Sequence, residues 1–319
     1  MARAWPIPQL RLDDPVRLAL ARIVRTRTRE LYSHMPGAFS AADAEAVHDL
    51  RISSRRLQTV LTVFDVWMPG KTARRISKRL KPAIRALGAI RERHMIAQVA
   101  QRLAGGESAL QTVAVGLFIA RYRQGAAMCG IEVAPVVRET FSDELQELLR
   151  ELSQRLERSC DRARRSREVT FADAVPRALE PVLERVAACT VAVTDIGRCG
   201  EALHRLRVAA KPLRYTMELL EPLCDRAFRT QYQRIRSAVQ VLGDLHDLDV
   251  AITAMRAHVA EMRLYNRTAS GTHRIPAAPL DRLVTDARRR RDALGKEFAA
   301  ALEWLRRENF VRDIFDSLD

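Results

Sequence analysis

Apolar residues recur every three to four positions along most of the chain. The spacing predicts helices over roughly 14–35, 43–66, 71–103, 108–128, 138–167, 172–188, 200–222, 226–262 and 279–308. No stretch alternates apolar and polar residues as a half-buried strand would, so the pattern predicts an all-α fold. Turn residues fall at the predicted breaks. Met35-Pro36-Gly37 and Met68-Pro69-Gly70 close the first two helices, Asp43 is placed to cap the second, and Gly105-Gly106 forms a turn. The polar stretch Asn266–Pro279 reads as a mobile loop, and Pro82 and Pro212, inside helical patterns, should start or kink helices.

The pattern also repeats. Val47-His48-Asp49-Leu50-Arg51-Ile52 is matched by Leu203-His204-Arg205-Leu206-Arg207-Val208 at an offset of 156, and Leu57, Leu61 and Phe64 fall on Leu213, Met217 and Leu220 at that offset. Leu87-Gly88-Ala89-Ile90-Arg91-Glu92 is matched by Leu242-Gly243-Asp244-Leu245-His246-Asp247 at an offset of 155. Two motifs in the same order and nearly the same register point to an internal duplication. The period is far longer than a solenoid repeat, so the expectation is two similar helical halves about a pseudo-two-fold axis.

Charge changes the picture next. The 319 residues carry 54 lysines and arginines against 39 aspartates and glutamates, a formal net charge of +15. Such a chain attracts anions: nucleic acid, an anionic membrane surface or a phosphate polymer. Most of the excess is arginine, whose planar fork suits phosphate oxygens. The five cysteines are scattered without a CxxC pair, so neither a zinc site nor a disulfide frame is expected. The longest apolar run, near Val113–Ala120, is far below the ~20 residues of a membrane span. Arg11-Leu12-Asp13-Asp14-Pro15 interrupts any leader-like apolar run, so a cytoplasmic location is expected.

The basic residues are arranged in stripes. His204, Arg207, Lys211 and Arg214 stand at i, i+3, i+7 and i+10, one helix face rising roughly 15 Å. Leu206, Leu213, Met217 and Leu220 occupy another face and should pack inward. The first half repeats the stripe with His48, Arg51 and Arg55, with Arg56 beside them and Gln58 in the fourth place. The following helix carries Arg74, Lys78, Lys81 and Arg85, matched later by Arg229, Gln233, Arg236 and Gln240 with Arg234 nearby. Like charges at this spacing repel, so such stripes imply a counter-charge. Arg288–Arg291 circles its helix and reads equally as solvated surface or ligand contact.

His48 and His204 have no partner at metal-ligand spacing, and hydrogen bonding to a phosphate oxygen, or orienting a neighbouring arginine, is the expected role. His246-Asp247-Leu248-Asp249 reads as a carboxylate device that pairs with a neighbouring arginine, and Arg91-Glu92 as its counterpart. No phosphate-binding loop, nucleophile elbow, zinc-protease or dinucleotide motif is present, so no cofactor, metal or catalytic role is expected.

The segment Val47–Leu57, its copy at Leu203–Arg214 and the paired Leu-Gly-x-x-[Arg/His]-[Asp/Glu] motifs resemble the CHAD family, the conserved-histidine α-helical domains. The likeness spans roughly residues 8–315 as one domain, with halves at about 8–165 and 166–315. It implies two four-helix bundles about a pseudo-two-fold axis with a basic central surface, inorganic polyphosphate as ligand, and in many members location at polyphosphate granules. By motif, the binding positions are His48, Arg51, Arg55, Arg56, Lys81, Arg85 and Arg91 in the first half, and His204, Arg207, Lys211, Arg214 and Arg236 in the second. Lys78 and Arg234 join them from the stripes. Gln58 stands where the family often has arginine, and Glu92 and His94 replace the acidic pair that the second half keeps as Asp247 and Asp249. Some relatives carry a fused triphosphate tunnel hydrolase with an ExExK motif; that motif is absent here, so no phosphohydrolase is implied. Two rival readings remain, a nucleic-acid-binding module and an enzyme acting on phosphate polymers. Few aromatics accompany the stripes, which disfavours base stacking, and no acidic metal cluster is visible for the second.

Overall fold

The computed structural model describes residues 4–38, 43–105, 113–163, 169–197 and 200–318. It is all-α, with no strand among these residues. The helices are α1 (Val16–Ser33), α2 (Met35–Ala38), α3 (Ala44–Val63), α4 (Gly70–Leu103), α5 (Val113–Thr140), α6 (Asp143–Ala163), α7 (Phe171–Val191), α8 (Gly200–Leu220), α9 (Arg226–Thr268), α10 (Ala278–Leu305) and α11 (Phe310–Phe315). None of the described helices is long and apolar enough to cross a membrane.

Local chemistry fixes several starts. The Asp43 carboxylate accepts from the backbone N–H groups of Glu45 and Ala46 at the head of α3. Thr170 and Asp173 form a reciprocal capping box at α7, and Asp225 caps α9 through the Phe228 N–H. The segments entering α1 and α7 pair with each other: Val16 N–H donates to the Val169 carbonyl at 3.0 Å and Phe171 N–H to that of Asp14 at 2.8 Å. The two copies of the sequence repeat also meet, α3 packing on α8 and α4 on α9. One apolar core runs through the described residues, from Leu20, Phe64 and Phe118 to Phe171, Phe228 and Phe298.

The helices depart from the apolar periodicity in three places. The break expected after residue 128 is absent, and α5 continues through Gly130 and Pro135 to Thr140. Ala126, Cys129, Gly130 and Val137 keep one buried face along α4, and that packing outweighs the helix-breaking residues. Neither Pro82 nor Pro212 starts a helix; both lie inside one, and Pro82 is on an exposed face where water can serve the unpaired carbonyl. The stretch expected as a mobile loop from 266 begins as the last turn of α9. It is tied across by Asn266, whose amide donates to the Ile275 carbonyl at 2.8 Å and accepts from the Ile275 N–H at 2.9 Å.

Where the halves join, a charged chain is buried. Arg27 and Glu30 of α1 pair at 2.5 Å, Arg56 of α3 holds the other Glu30 oxygen at 2.9 Å, and its remaining nitrogens grip Glu218 of α8 in a two-pronged pair at 2.9 Å. Against the pull of burial, Glu218 and Glu30 hold the Arg56 guanidinium above its ordinary value. Glu30 is fully enclosed, so removing its charge leaves buried Arg27 without its carboxylate and takes one of two carboxylates from buried Arg56. Glu30→Gln should cost about 3–5 kcal/mol of stability, read as a lowered urea midpoint. Glu147→Gln, which breaks an exposed pair with Arg150, should leave the midpoint unchanged. Equal effects from the two substitutions would contradict the assigned role.

Candidate functional site

Where α3 packs on α8 and α4 on α9, the four helices line a cleft of about 900 Å³. From α3 come His48, Arg51 and Arg55; from α4 come Arg85, Arg91, Arg93 and Arg102; from α8 come Arg207, Lys211, Arg214 and Tyr215; from α9 come Arg236, His246 and Asp247. Glu45, Glu92 and Asp244 add the other carboxylates of the lining, so ten basic side chains face four acidic ones. Most of the α3 and α8 stripes, and Arg85 at the end of the α4 stripe, reach the cleft because each helix buries its opposite face. On α8, Leu206, Leu213, Met217 and Leu220 are fully enclosed, and on α4, Ile76, Leu80, Ala83 and Leu87 are. Gly88 and Gly243, the glycines of the paired Leu-Gly motifs, both line the cleft with open space where a Cβ would stand.

The cations are under strain of a specific kind. The Nε atoms of Arg51, Arg55 and Arg207 and Nδ1 of His48 are buried without a hydrogen-bond partner. Burial pulls the Lys211 ammonium down to about 6, with Arg207, Arg55 and Arg51 adding to the effect. Arg51 falls to about 10 through burial and the nearby Arg55, and so stays charged at neutral pH. Burial also lowers Arg207 and Arg91, each partly offset by Asp247. His48 and His246 both fall to about 4, mainly through burial and next through Arg91 and Arg207 respectively, so both rings are neutral at pH 7. Burial raises Asp247, opposed by the same two arginines, Arg207 and Arg91. The cleft is therefore a set of hydrogen-bond donors held together without enough acceptors.

Of the positions expected from the sequence, His48, Arg51, Arg55, Arg85, Arg91, Arg207, Lys211, Arg214 and Arg236 line the cleft. Arg214 lies over the Tyr215 ring at 4.5 Å. His204 is exposed and does not line it, though its ring lies 5.1 Å from that of His246. The remaining expected positions lie outside the cleft. Arg56 points the other way, into the buried network with Glu30 and Glu218. Lys78 and Lys81 are exposed on α4 outside the cleft. Arg234 rests against Trp304, 5.7 Å from its ring, and does not line the cleft. Within the Arg288–Arg291 run, Arg291 is structural: it holds Asp249 at 3.0 Å and the Ile196 carbonyl at 2.8 Å, the carboxylate–arginine device expected of the second-half acidic pair. Arg93, Arg102, Tyr215 and Asp244 were not anticipated. Arg102 could have been, since Arg91, Gln98 and Arg102 stand at i, i+7 and i+11 on one face. Cys199 lies outside the described residues, and Cys129, Cys189 and Cys224 are free thiols.

The model of the CHAD domain matches residues 22–256. Among solved structures, the crystal structure of the CHAD domain from the plant Ricinus communis is similar, with a TM-score of 0.65 at 17% identity over 95% of this chain and 96% of that one. PptA from Streptomyces chartreusis is similar with a TM-score of 0.58 at 16% identity, over 91% of this chain and 100% of that one. No curated protein sequence is a significant match.

A buried cation kept among others of its sign costs stability, and its removal should return some. Lys211→Met should stabilise the empty protein by about 1–2 kcal/mol at pH 6. The sign in pH follows from proton binding. Between about 6 and the ordinary value of 10.5, the unfolded chain holds a proton on Lys211 that the folded chain releases, so wild-type stability rises with pH across this window. The advantage of the variant should therefore be largest at pH 6 and below and smaller at pH 9, measured as the difference in melting temperature. An advantage that grew with pH would contradict the electrostatic account.

Proposed function

The chain belongs to the CHAD domain family, and from that premise and the cleft we propose that it binds inorganic polyphosphate without processing it. The observation that carries the reading is the set of buried, unpartnered nitrogens on Arg51, Arg55, Arg207 and His48, all contributed to one cleft. A phosphate polymer offers closely spaced anionic oxygens with no bulky group between them, which suits guanidinium forks from four helices at once. Arg51, Arg55, Arg91, Arg207, Lys211 and Arg236 neutralise successive phosphates. His48 and His246, neutral at pH 7, take part through single ring nitrogens. Arg85 and the exposed Lys81 and Lys78 continue the basic face of α4 beyond the cleft, giving a long chain further contacts as it leaves. Asp247 stands between Arg91 and Arg207 and steadies both. Accumulation at polyphosphate granules follows from this reading, since each granule presents many chains.

The nucleic-acid reading has less support. Tyr215 is the one aromatic carbocycle among the residues lining the cleft, and the Arg214 guanidinium already covers it. Bases would find little to stack on.

Calorimetry with size-graded polyphosphate tests the proposal. Chains long enough to span the cleft should bind at least ~100-fold more tightly than orthophosphate or tripolyphosphate, because contacts made by one chain add. The log of affinity should fall with log salt with a slope steeper than about −4, if four or more phosphates are neutralised. Arg51→Glu with Arg55→Glu, and separately Arg207→Glu, should each flatten that slope while far-UV circular dichroism is unchanged. Equal affinity for tripolyphosphate and long chains, tighter binding of single-stranded RNA, or phosphate released from bound chains would each reject the reading.

A further inference from the structure

Of the 54 lysines and arginines, only five are lysine. Lys71, Lys78, Lys81 and Lys296 are exposed outside the cleft. The fifth, Lys211, lies inside it, at the repeat position that Arg55 holds in the first half. Arg207 faces it from its own helix, Arg51 and Arg55 from α3, and His246 and Asp247 from α9. Arg51, Arg55 and Arg207 keep buried Nε donors unpartnered, and these donors line the same cleft as Lys211.

An exposed lysine near 10.4 is almost wholly ammonium at neutral pH and has no free lone pair. Lys211, at about 6, is mostly free amine there. A lysine desolvated beside other cations is the usual way to make an amine nucleophilic. Arginine in the same place would be inert, so the one lysine adds a reactivity that binding alone does not need.

We propose that Lys211 is a covalent modification site for acyl phosphates, which the cleft recruits by their phosphate group. The proposal rests on the reading of the cleft as a phosphate-binding site. The Lys211 nitrogen attacks the acyl carbon, a C–N bond forms, and the bond from that carbon to the bridging oxygen breaks. The phosphate leaves with the electron pair and takes up the proton that the amine loses, giving an amide and hydrogen phosphate. One phosphate group carries far less charge than a long polymer, and the guanidinium groups around it offset most of that charge, so the amine stays reactive with this small reagent bound although the polymer protonates it. The amide carries no charge and one donor fewer, so the modified cleft holds polyphosphate more weakly. Acyl phosphate supply would in this way set how much polymer the protein retains.

The test uses the full chain at pH 7 with acetyl phosphate, and in parallel with the uncharged p-nitrophenyl acetate. Mass mapping follows all five lysines over time, the four exposed ones serving as internal controls. With acetyl phosphate, Lys211 should be acetylated at least ~tenfold faster than each exposed lysine. That lead should shrink with the uncharged ester, which the cleft does not recruit. Lys211→Arg should abolish the fast phase of label incorporation. A Lys211 rate no faster than the exposed lysines with acetyl phosphate, or an equal lead with both reagents, overturns the proposal. Calorimetry with long-chain polyphosphate on the unmodified protein separates the two claims. Normal polymer binding with slow Lys211 acetylation overturns this proposal alone, and rapid, phosphate-dependent acetylation without polymer binding overturns the polyphosphate reading alone.

Discussion

Bringing like charges together away from water is costly, and the junction of this protein does it with Arg51, Arg55, Arg207 and Lys211 drawn from two facing helices. At an effective dielectric near 20, two unit charges 4 Å apart repel by about 4 kcal/mol. The remaining architecture makes that arrangement tolerable. The continuous apolar core holds the four helices whatever the cleft contains. The buried chain from Arg27 through Glu30 and Arg56 to Glu218 locks α1, α3 and α8 together with full pairing. The same kind of residue thus plays two opposed parts within one turn of α3. Arg56, given two carboxylates, is a structural rivet, and Arg55, given none among its described ion pairs, is an open valence.

That contrast marks where the sequence could be read and where it could not. The repeat and the stripe spacing placed His48, Arg51, Arg55, Arg207, Lys211 and Arg214 on helix faces that do meet, because apolar periodicity decides which face turns inward. Spacing does not reveal what lies across from a face. Arg56 differs from Arg55 only in pointing toward Glu30 and Glu218, residues 26 and 162 positions away. Lys78 and Lys81 share a stripe with Arg85, yet the cleft ends before them, a boundary set by where α4 meets α9. Arg234 resembled a ligand contact until Trp304 appeared beside it. The length of α5 was hidden for a related reason: Gly130 and Pro135 argue locally for a break, and packing along α4 overrides them.

The cleft also explains why binding and ionisation are coupled. Lys211 at about 6 and the two histidines at about 4 have given up protons first because they are buried and second because cations surround them. A bound polyanion removes the second of these causes. Its charge raises all three values, and protons return from solvent as the ligand enters. The carboxylates act in the same sense on a smaller scale, Asp247 already partly compensating Arg91 and Arg207 in the empty state.

The most direct test of this account is a count of those protons. Long-chain polyphosphate binding is measured by calorimetry at pH 7 in several buffers of different ionisation enthalpy, and the buffer dependence of the heat gives the number taken up. The account predicts net uptake of about one proton per protein, assigned to Lys211 and missing in Lys211→Met, with affinity weakening as pH rises. Full-strength binding with no proton uptake would contradict it, because Lys211 would then not have been held neutral among the arginines of the empty cleft.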